Sequence, residues 1–280
     1  MNIEGIERMV ITLKKDGHIH TPFCPHGTKD SLRQYVEQAI MLGFTEMTFT
    51  EHAPLPKGFI DTTPTQDSSI TLEALPFYLK EVQHIKKEYE ERIKINIGLE
   101  IDYIEGFELE IKDFLAEWGH FLDDSILSVH FLKDPLSNRY DCVDYSPEYF
   151  GHMVEQYGGV SQLYDCYYQT LLKSIKADLG PAKPKRLGHI TLIHKFQQLY
   201  PQEQNFQTII FTILDEVKSH GYELDYNGAG VNKPYCKEPY PPKWIVKEAI
   251  NRQIPLVYGS DAHQAKDLGQ GWDVMLWNNQ

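Results

Sequence analysis

Asp16-Gly17-His18-Ile19-His20 and its counterpart near the other end of the chain, Ser260-Asp261-Ala262-His263, decide how this sequence reads. Each follows a short apolar, β-prone run: Ile11–Lys15 in the first case, Pro255–Gly259 in the second. In an extended segment side chains alternate with period two, so Asp16, His18 and His20 are expected on one face. Two imidazoles so spaced can share a metal ion while Asp16 orients one of them.

Working outward, the same juxtaposition recurs along the chain. Glu51-His52 closes the run Thr45–Thr50, Gly98-Leu99-Glu100 closes Ile93–Leu99, Val129-His130 closes Ser125–Val129, and Gly188-His189 closes Arg186–Gly188. His26 lies on the loop after His20. Seven of the twelve histidines are placed this way. Imidazole with carboxylate is the donor set for zinc, manganese or iron at a hydrolytic centre. Glu100 ends an apolar strand, where an unpaired carboxylate is costly to bury, and bridging two cations removes that cost. Glu51 is read as orienting His52 rather than as a ligand. The remaining histidines (His84, His120, His152, His194 and His220) read as ordinary, with His194 the one able to point toward the site. Cys24 and Cys236 read as packing residues.

The strand runs, with a further one at Tyr222–Tyr226, alternate with helical patterns. These cover Ser31–Leu42, Leu72–Arg92, Phe107–Trp118, Ser161–Leu179, Glu203–His220 and Lys243–Arg252. Leu32, Val36, Ala39 and Ile40 form one stripe of the first helix, with Thr28 or Asp30 to cap it and Gly43 to end it. Asp134–Gly159 reads as a long loop with a short helix after Pro147. Seven strands each followed by a helix predict a single α/β domain over 1–280, a distorted seven-stranded (β/α)7 barrel. The ligand candidates then converge on the C-terminal rim, the face where barrel enzymes keep their chemistry.

At 280 residues and 41% apolar content the chain can bury one large core. No apolar run is long enough to span a bilayer, which predicts no membrane partner. A net charge of -13 disfavours a nucleic-acid partner, which needs basic surface. Cys24, Cys142, Cys166 and Cys236 form no CxxC pair, and a reduced, cytoplasmic protein is the simplest reading. Oligomeric state is not specified by the sequence.

These segments resemble the polymerase-and-histidinol-phosphatase (PHP) superfamily, and within it the monofunctional histidinol-phosphate phosphatase family. The likeness rests on Asp16–Gly27, Phe49–Pro56, Gly98–Tyr103, Ser128–Phe131, Gly188–Thr191 and Lys233–Pro241, and spans nearly the whole chain. It implies hydrolysis of the phosphomonoester L-histidinol phosphate in histidine biosynthesis, with three divalent ions (Zn, Mn or Fe) as cofactors. It implies His18, His20, Glu100 and Asp261 for the first ion, Glu100, His130 and His189 for the second, and His26, His52 and His263 for the third. Glu100, Asp261 and His263 are the expected catalytic residues. Where the family often has an arginine near 231–233 this chain has Asn232, so Lys233, Arg186 or Arg139 is expected at the substrate phosphate. Asp102, Glu238 or Asp225 is expected at the amine, with Asn227 or Tyr235 near the imidazole. A PHP-fold nucleotide phosphatase or phosphodiesterase is the rival enzyme, and a non-catalytic barrel the rival outside enzymology. The complete ligand set argues against the latter.

Overall fold

A computed structural model of the protein describes residues 14–276. The first strand therefore enters the description late, and the part of its expected range before Lys14 lies outside the described residues, as do 1–13 and 277–280 of the expected domain. In chain order the main elements are β1 (Lys15–Ile19), α1 (Leu32–Met41), β2 (Glu46–His52), α2 (Leu75–Glu88), β3 (Lys94–Asp102), α3 (Glu108–Trp118) and β4 (Ile126–Ser128). There follow β5 (Phe131–Lys133), β6 (Tyr140–Cys142), α4 (Pro147–Gln156), α5 (Val160–Lys176), β7 (Arg186–Leu187), α6 (Gln207–Ser219), β8 (Glu223–Asn227), α7 (Ala229–Asn232), α8 (Lys243–Asn251) and β9 (Leu256–Gly259).

Seven strands form one sheet in the order β1-β2-β3-β4-β7-β8-β9, and every pairing in it is parallel. The sheet closes on itself just beyond the strands. Ile19 bridges Ala262, His20 N–H donates to Ala262 O at 3.0 Å, and Asp261 N–H donates to His18 O at 2.8 Å. The expected seven-stranded barrel is the observed architecture.

Local chemistry explains the helices. Ser31 caps α1 in a reciprocal box with Gln34, which replaces the expected Thr28 or Asp30 cap. Leu32, Tyr35, Val36 and Ala39 are its buried face, the larger side chains each contributing about 1.5–3 kcal/mol on burial. Gly43 takes φ +78°, a conformation that lets the chain turn into β2 at no Cβ cost. The stretch expected as a loop over Asp134–Gly159 is more ordered than that. It holds strand β6, which pairs antiparallel with β5, while the short helix expected after Pro147 is the ten-residue α4, capped by Ser146.

Two departures bear on the site. The first strand runs four residues past its expected end at Lys15, to Ile19, so that His18 lies inside it. A register shift between Asp16 and Ile19 inserts an extra residue there. The strict two-residue alternation is thereby broken. Among the described residues no helix is long and apolar enough to cross a membrane.

Candidate metal centre

Glu100 stands at the middle of the barrel mouth, almost fully buried. Its Oε1 lies 2.9 Å from His189 Nε2 and 3.7 Å from His130 Nε2. Its Oε2 lies 3.1 Å from His52 Nδ1, 3.4 Å from His18 Nε2 and 3.6 Å from His20 Nε2. Asp261, at φ +53°, puts Oδ1 3.1 Å from His20 Nε2 and 3.7 Å from His18 Nε2. Toward solvent, His26 Nε2 and His263 Nε2 approach to 3.1 Å, and the His52 ring packs 5.1 Å from that of His26. The structure thus brings all nine candidate ligand residues into one cluster.

Carboxylates from the strands hold the rings from behind. Asp225 Oδ2 is 2.8 Å from His18 Nδ1, and Asp102 Oδ1 is 2.7 Å from His130 Nδ1. Glu51 Oε1 is 3.3 Å from His20 Nδ1, while its other oxygen accepts from Thr21 N–H at 2.9 Å. Such partners fix ring orientation and leave the second nitrogen free to ligate. Glycine makes room for this: a Cβ at Gly259 would lie 2.2 Å from Asp225 Oδ1 and 2.6 Å from His18 Cβ.

Three expectations change here. Asp16 orients no imidazole; because of the bulge its Oδ1 accepts from Ser260 N–H at 2.9 Å and His18 N–H at 3.3 Å, tying β1 to the end of β9. Burial raises its carboxyl to about 7. Glu51 orients the ring of His20 and reaches only the backbone N–H of His52, at 3.0 Å. Asp225 is committed to His18 rather than open to a substrate amine.

Electrostatics divide the rings into two groups. Burial opposes charge on His18, but Glu100, Asp261 and Asp225 outweigh it and hold its pKa well above the ordinary value. For His20, burial is overcome by Asp261 and Glu51, giving about 9. For His130, burial is overcome by Asp102 and Glu100, giving about 10. His52 and His263 are pushed down by burial and by the neighbouring His20. Against its own burial Glu100 is held well below the carboxylate range by His18 and His130, and Asp261 by His18 and His20. Both carboxylates are therefore ionised, as ligation requires.

Divalent ions fit this donor set. His18 Nε2, Glu100 Oε2 and both ring nitrogens of His52 are buried without a hydrogen-bond partner among the described residues. His52 Nδ1 and Glu100 Oε2 lie 3.1 Å apart without hydrogen-bond geometry, so each keeps a lone pair for a metal. Donor atoms of His18, Glu100 and His189 lie within 4.8 Å of one another, as do those of His18, His20 and Asp261.

The cluster floors a cavity of about 800 Å³ whose wall includes Lys233, Lys195, Asp144, Asp67, Asp267 and Tyr240. Lys233 is where a phosphate ligand is expected. Arg186 is not: its guanidinium is buried at the other end of the barrel, 2.9 Å from both Asp124 Oδ2 and Gly17 O. It belongs to the start of its strand, so it points away from the ligand rim. Arg139 is exposed and reaches only Ser137. Asn227 is buried and positions carboxylates instead of touching the cavity, donating to Asp225 Oδ2 at 3.1 Å and Asp261 Oδ2 at 3.2 Å. Glu238 is paired at 2.8 Å with His194, whose other nitrogen meets Tyr168, so neither faces the site. Tyr235 packs on the core.

Sequence reasoning missed Lys195 and Asp144. Lys195 Nζ donates to Asp144 O at 2.6 Å and pairs with its carboxylate at 2.9 Å. Burial opposes its charge, but Asp144 keeps its pKa raised. The short helical turn at Leu192–Phe196 carries it back to the mouth. Its one signal is position, soon after His189.

A parallel barrel with imidazoles and carboxylates converging at its C-terminal mouth defines the class of metal-dependent barrel hydrolases. A model of the PHP domain family matches residues 16–229, and the chain belongs to that family. It is 47% identical over 265 residues to the histidinol-phosphatase of Bacillus subtilis, covering 94% of this chain and 98% of that one. The crystal structure of a Listeria monocytogenes protein described as a candidate histidinol phosphatase, hisK, shares the fold with a TM-score of 0.90 and 43% identity, over 93% of this chain and 99% of that one. The structure of histidinol phosphate phosphatase from Lactococcus lactis, complexed with zinc, L-histidinol and phosphate, matches with a TM-score of 0.63 and 22% identity, over 90% and 87%.

Proposed function

We propose that this protein is a metal-dependent phosphomonoesterase that hydrolyses L-histidinol phosphate to L-histidinol and inorganic phosphate, a step of histidine biosynthesis. One observation carries the reading: a single buried carboxylate, Glu100, lies within reach of His18, His20, His52, His130 and His189. Such an array serves cations. The Bacillus subtilis relative, a histidinol-phosphatase matched along nearly its whole length, supplies the substrate class.

We assign His18, His20, Glu100 and Asp261 to one ion, Glu100, His130 and His189 to a second, and His26, His52 and His263 to a third. Zinc is the first metal to test, being the ion held by the Lactococcus protein of this fold. Bound ions supply an activated water and cancel charge on the phosphoryl oxygens. The chain's own residues do the rest. Asp225, Asp102 and Glu51 keep the rings aimed. Lys233 and Lys195, on the cavity wall, meet phosphate oxygens with fixed positive charge, where such transition states need it. Asp261 or His263, both on the cavity wall, passes a proton to the departing alkoxide. The rim carboxylates Asp67 and Asp267 suit the substrate's ammonium. Four free cysteines support a reducing, cytoplasmic setting.

The test is phosphate release from L-histidinol phosphate by protein as purified, after exhaustive chelation, and after zinc is restored. Loss and recovery support the reading. Full activity in verified metal-free protein would sink it.

A further inference from the structure

Cys24 is fully buried on the loop between β1 and α1, beneath the outer group of imidazoles. Its Sγ and one ring nitrogen from each of His20, His52 and His263 all lie within 4.8 Å of one another. In a tetrahedral zinc site, sulfur and nitrogen donors sit about 3.6 Å apart, given ordinary Zn–S and Zn–N lengths. The four donor atoms, all within 4.8 Å of one another, are close enough to share one ion after a small inward adjustment. His52 supplies the independent observation: its two ring nitrogens are buried and without hydrogen-bond partners.

The loop holds the sulfur in place. Cys24 N–H donates to Thr21 O at 3.0 Å, Gly27 N–H donates to Cys24 O at 3.3 Å, and Lys29 Nζ donates to the same carbonyl at 3.2 Å. Thr28 N–H donates to His263 O at 3.0 Å, which ties this turn to the segment carrying His263. A Cβ at Gly27 would lie 3.1 Å from Cys24 Cβ and 3.3 Å from His263 O. Backbone N–H groups of His26 and Gly27 approach the sulfur from its own turn.

We propose that Cys24 is a thiolate donor to the ion held by His52 and His263. Binding forms an S–metal bond and releases the thiol proton to solvent, since a coordinating thiol is deprotonated outright. A soft sulfur donor selects zinc or cobalt over manganese at that position, so this ion differs in kind from the pair around Glu100. The inference rests on the assignment of a third ion above.

The test is cobalt-reconstituted full-length protein, read by metal content and by absorption. The unmodified protein is expected to show a sulfur-to-cobalt charge-transfer band in the near ultraviolet. Cys24→Ser should lose the band together with about one ion per chain, as loss of one ligand from a small site implies. Cys142→Ser, which alters the cysteine on the cavity wall, should keep both. Should Cys24→Ser not fold, cadmium-113 NMR of the unmodified protein decides, with one resonance expected in the sulfur-ligated range. Full cobalt loading with no such band, a band unchanged in Cys24→Ser, or cadmium signals all in the nitrogen and oxygen range would overturn the proposal while leaving a three-ion site standing. Protein that takes up no ion at all would instead overturn the assignment beneath it.

Discussion

Asp225 Oδ2 lies 2.8 Å from His18 Nδ1, and both side chains are buried. The contact joins β8 to β1 and fixes which imidazole nitrogen faces Glu100. Asp225→Asn keeps the volume and removes the charge. Zinc affinity, measured by competition with a chromophoric chelator, should fall about 10- to 100-fold, the usual effect of losing a carboxylate behind a ligating histidine. Unchanged affinity would mean that Asp225 only packs.

Glu100→Gln should lose more activity than His26→Ala. Glu100 reaches five imidazoles at the centre, whereas His26 stands at the solvent edge beside His263. Removing the central charge leaves neighbouring cations repelling at close range. The comparison is kcat and metal stoichiometry for both variants, and equal or reversed losses would contradict a bridging role.

Metal uptake should release protons. In the metal-free protein His20, at about 9, and His130, at about 10, carry protons at neutral pH, and a ligating imidazole must shed its proton. Calorimetry of zinc binding in buffers of different ionisation enthalpy measures the number. The sign for stability follows: folded values above the ordinary 6.5 stabilise the metal-free fold below that pH. The benefit is lost as pH rises through 9 to 10. The metal-free Tm should therefore fall from pH 6.5 toward 9.5 while the gain on adding zinc grows. A rising metal-free Tm over that interval, with no proton release, would refute the electrostatic reading.

Lys233 and Arg186 should separate cleanly. Lys233→Ala should raise KM for every phosphomonoester by about tenfold or more, the effect of losing one charge-assisted hydrogen bond. Arg186→Met should leave KM nearly unchanged. It should instead lower stability in urea by about 1–3 kcal/mol, because Gly17 O loses its buried donor and Asp124 keeps only Lys15 as a charged partner. A large KM effect at Arg186 would place its guanidinium at the substrate phosphate after all.

The ligands were legible in the sequence because each follows a strand, and a parallel barrel gathers strand ends on one rim whatever their separation in the chain. His26, although on a loop, stays close because the turn after β1 is short and internally bonded. What sat behind the ligands was harder to read. Asp225 and Asn227 follow the same strand-end pattern as the ligands, and only three dimensions show them turned to His18 and Asp261. Asp16 departs from its expected role because one extra residue in β1 breaks the alternation that would align it with the two imidazoles. Arg186 begins the very short β7, so nothing in sequence says which end of the barrel it faces. Lys195 and Asp144 lie on irregular connections that have no period to read.

The substrate profile of the zinc-loaded protein decides the assigned reaction: kcat/KM for L-histidinol phosphate, serine phosphate, nucleoside monophosphates and a phosphodiester. Cations and lysines around one pocket favour a terminal, fully charged phosphate, and paired polar contacts to amine and imidazole reject analogues lacking them by large factors. Histidinol phosphate should exceed the nucleotides by roughly a hundredfold or more, with the diester nearly inert. A preference for a nucleotide or a diester would leave the PHP barrel and its metals in place and contradict the assigned reaction.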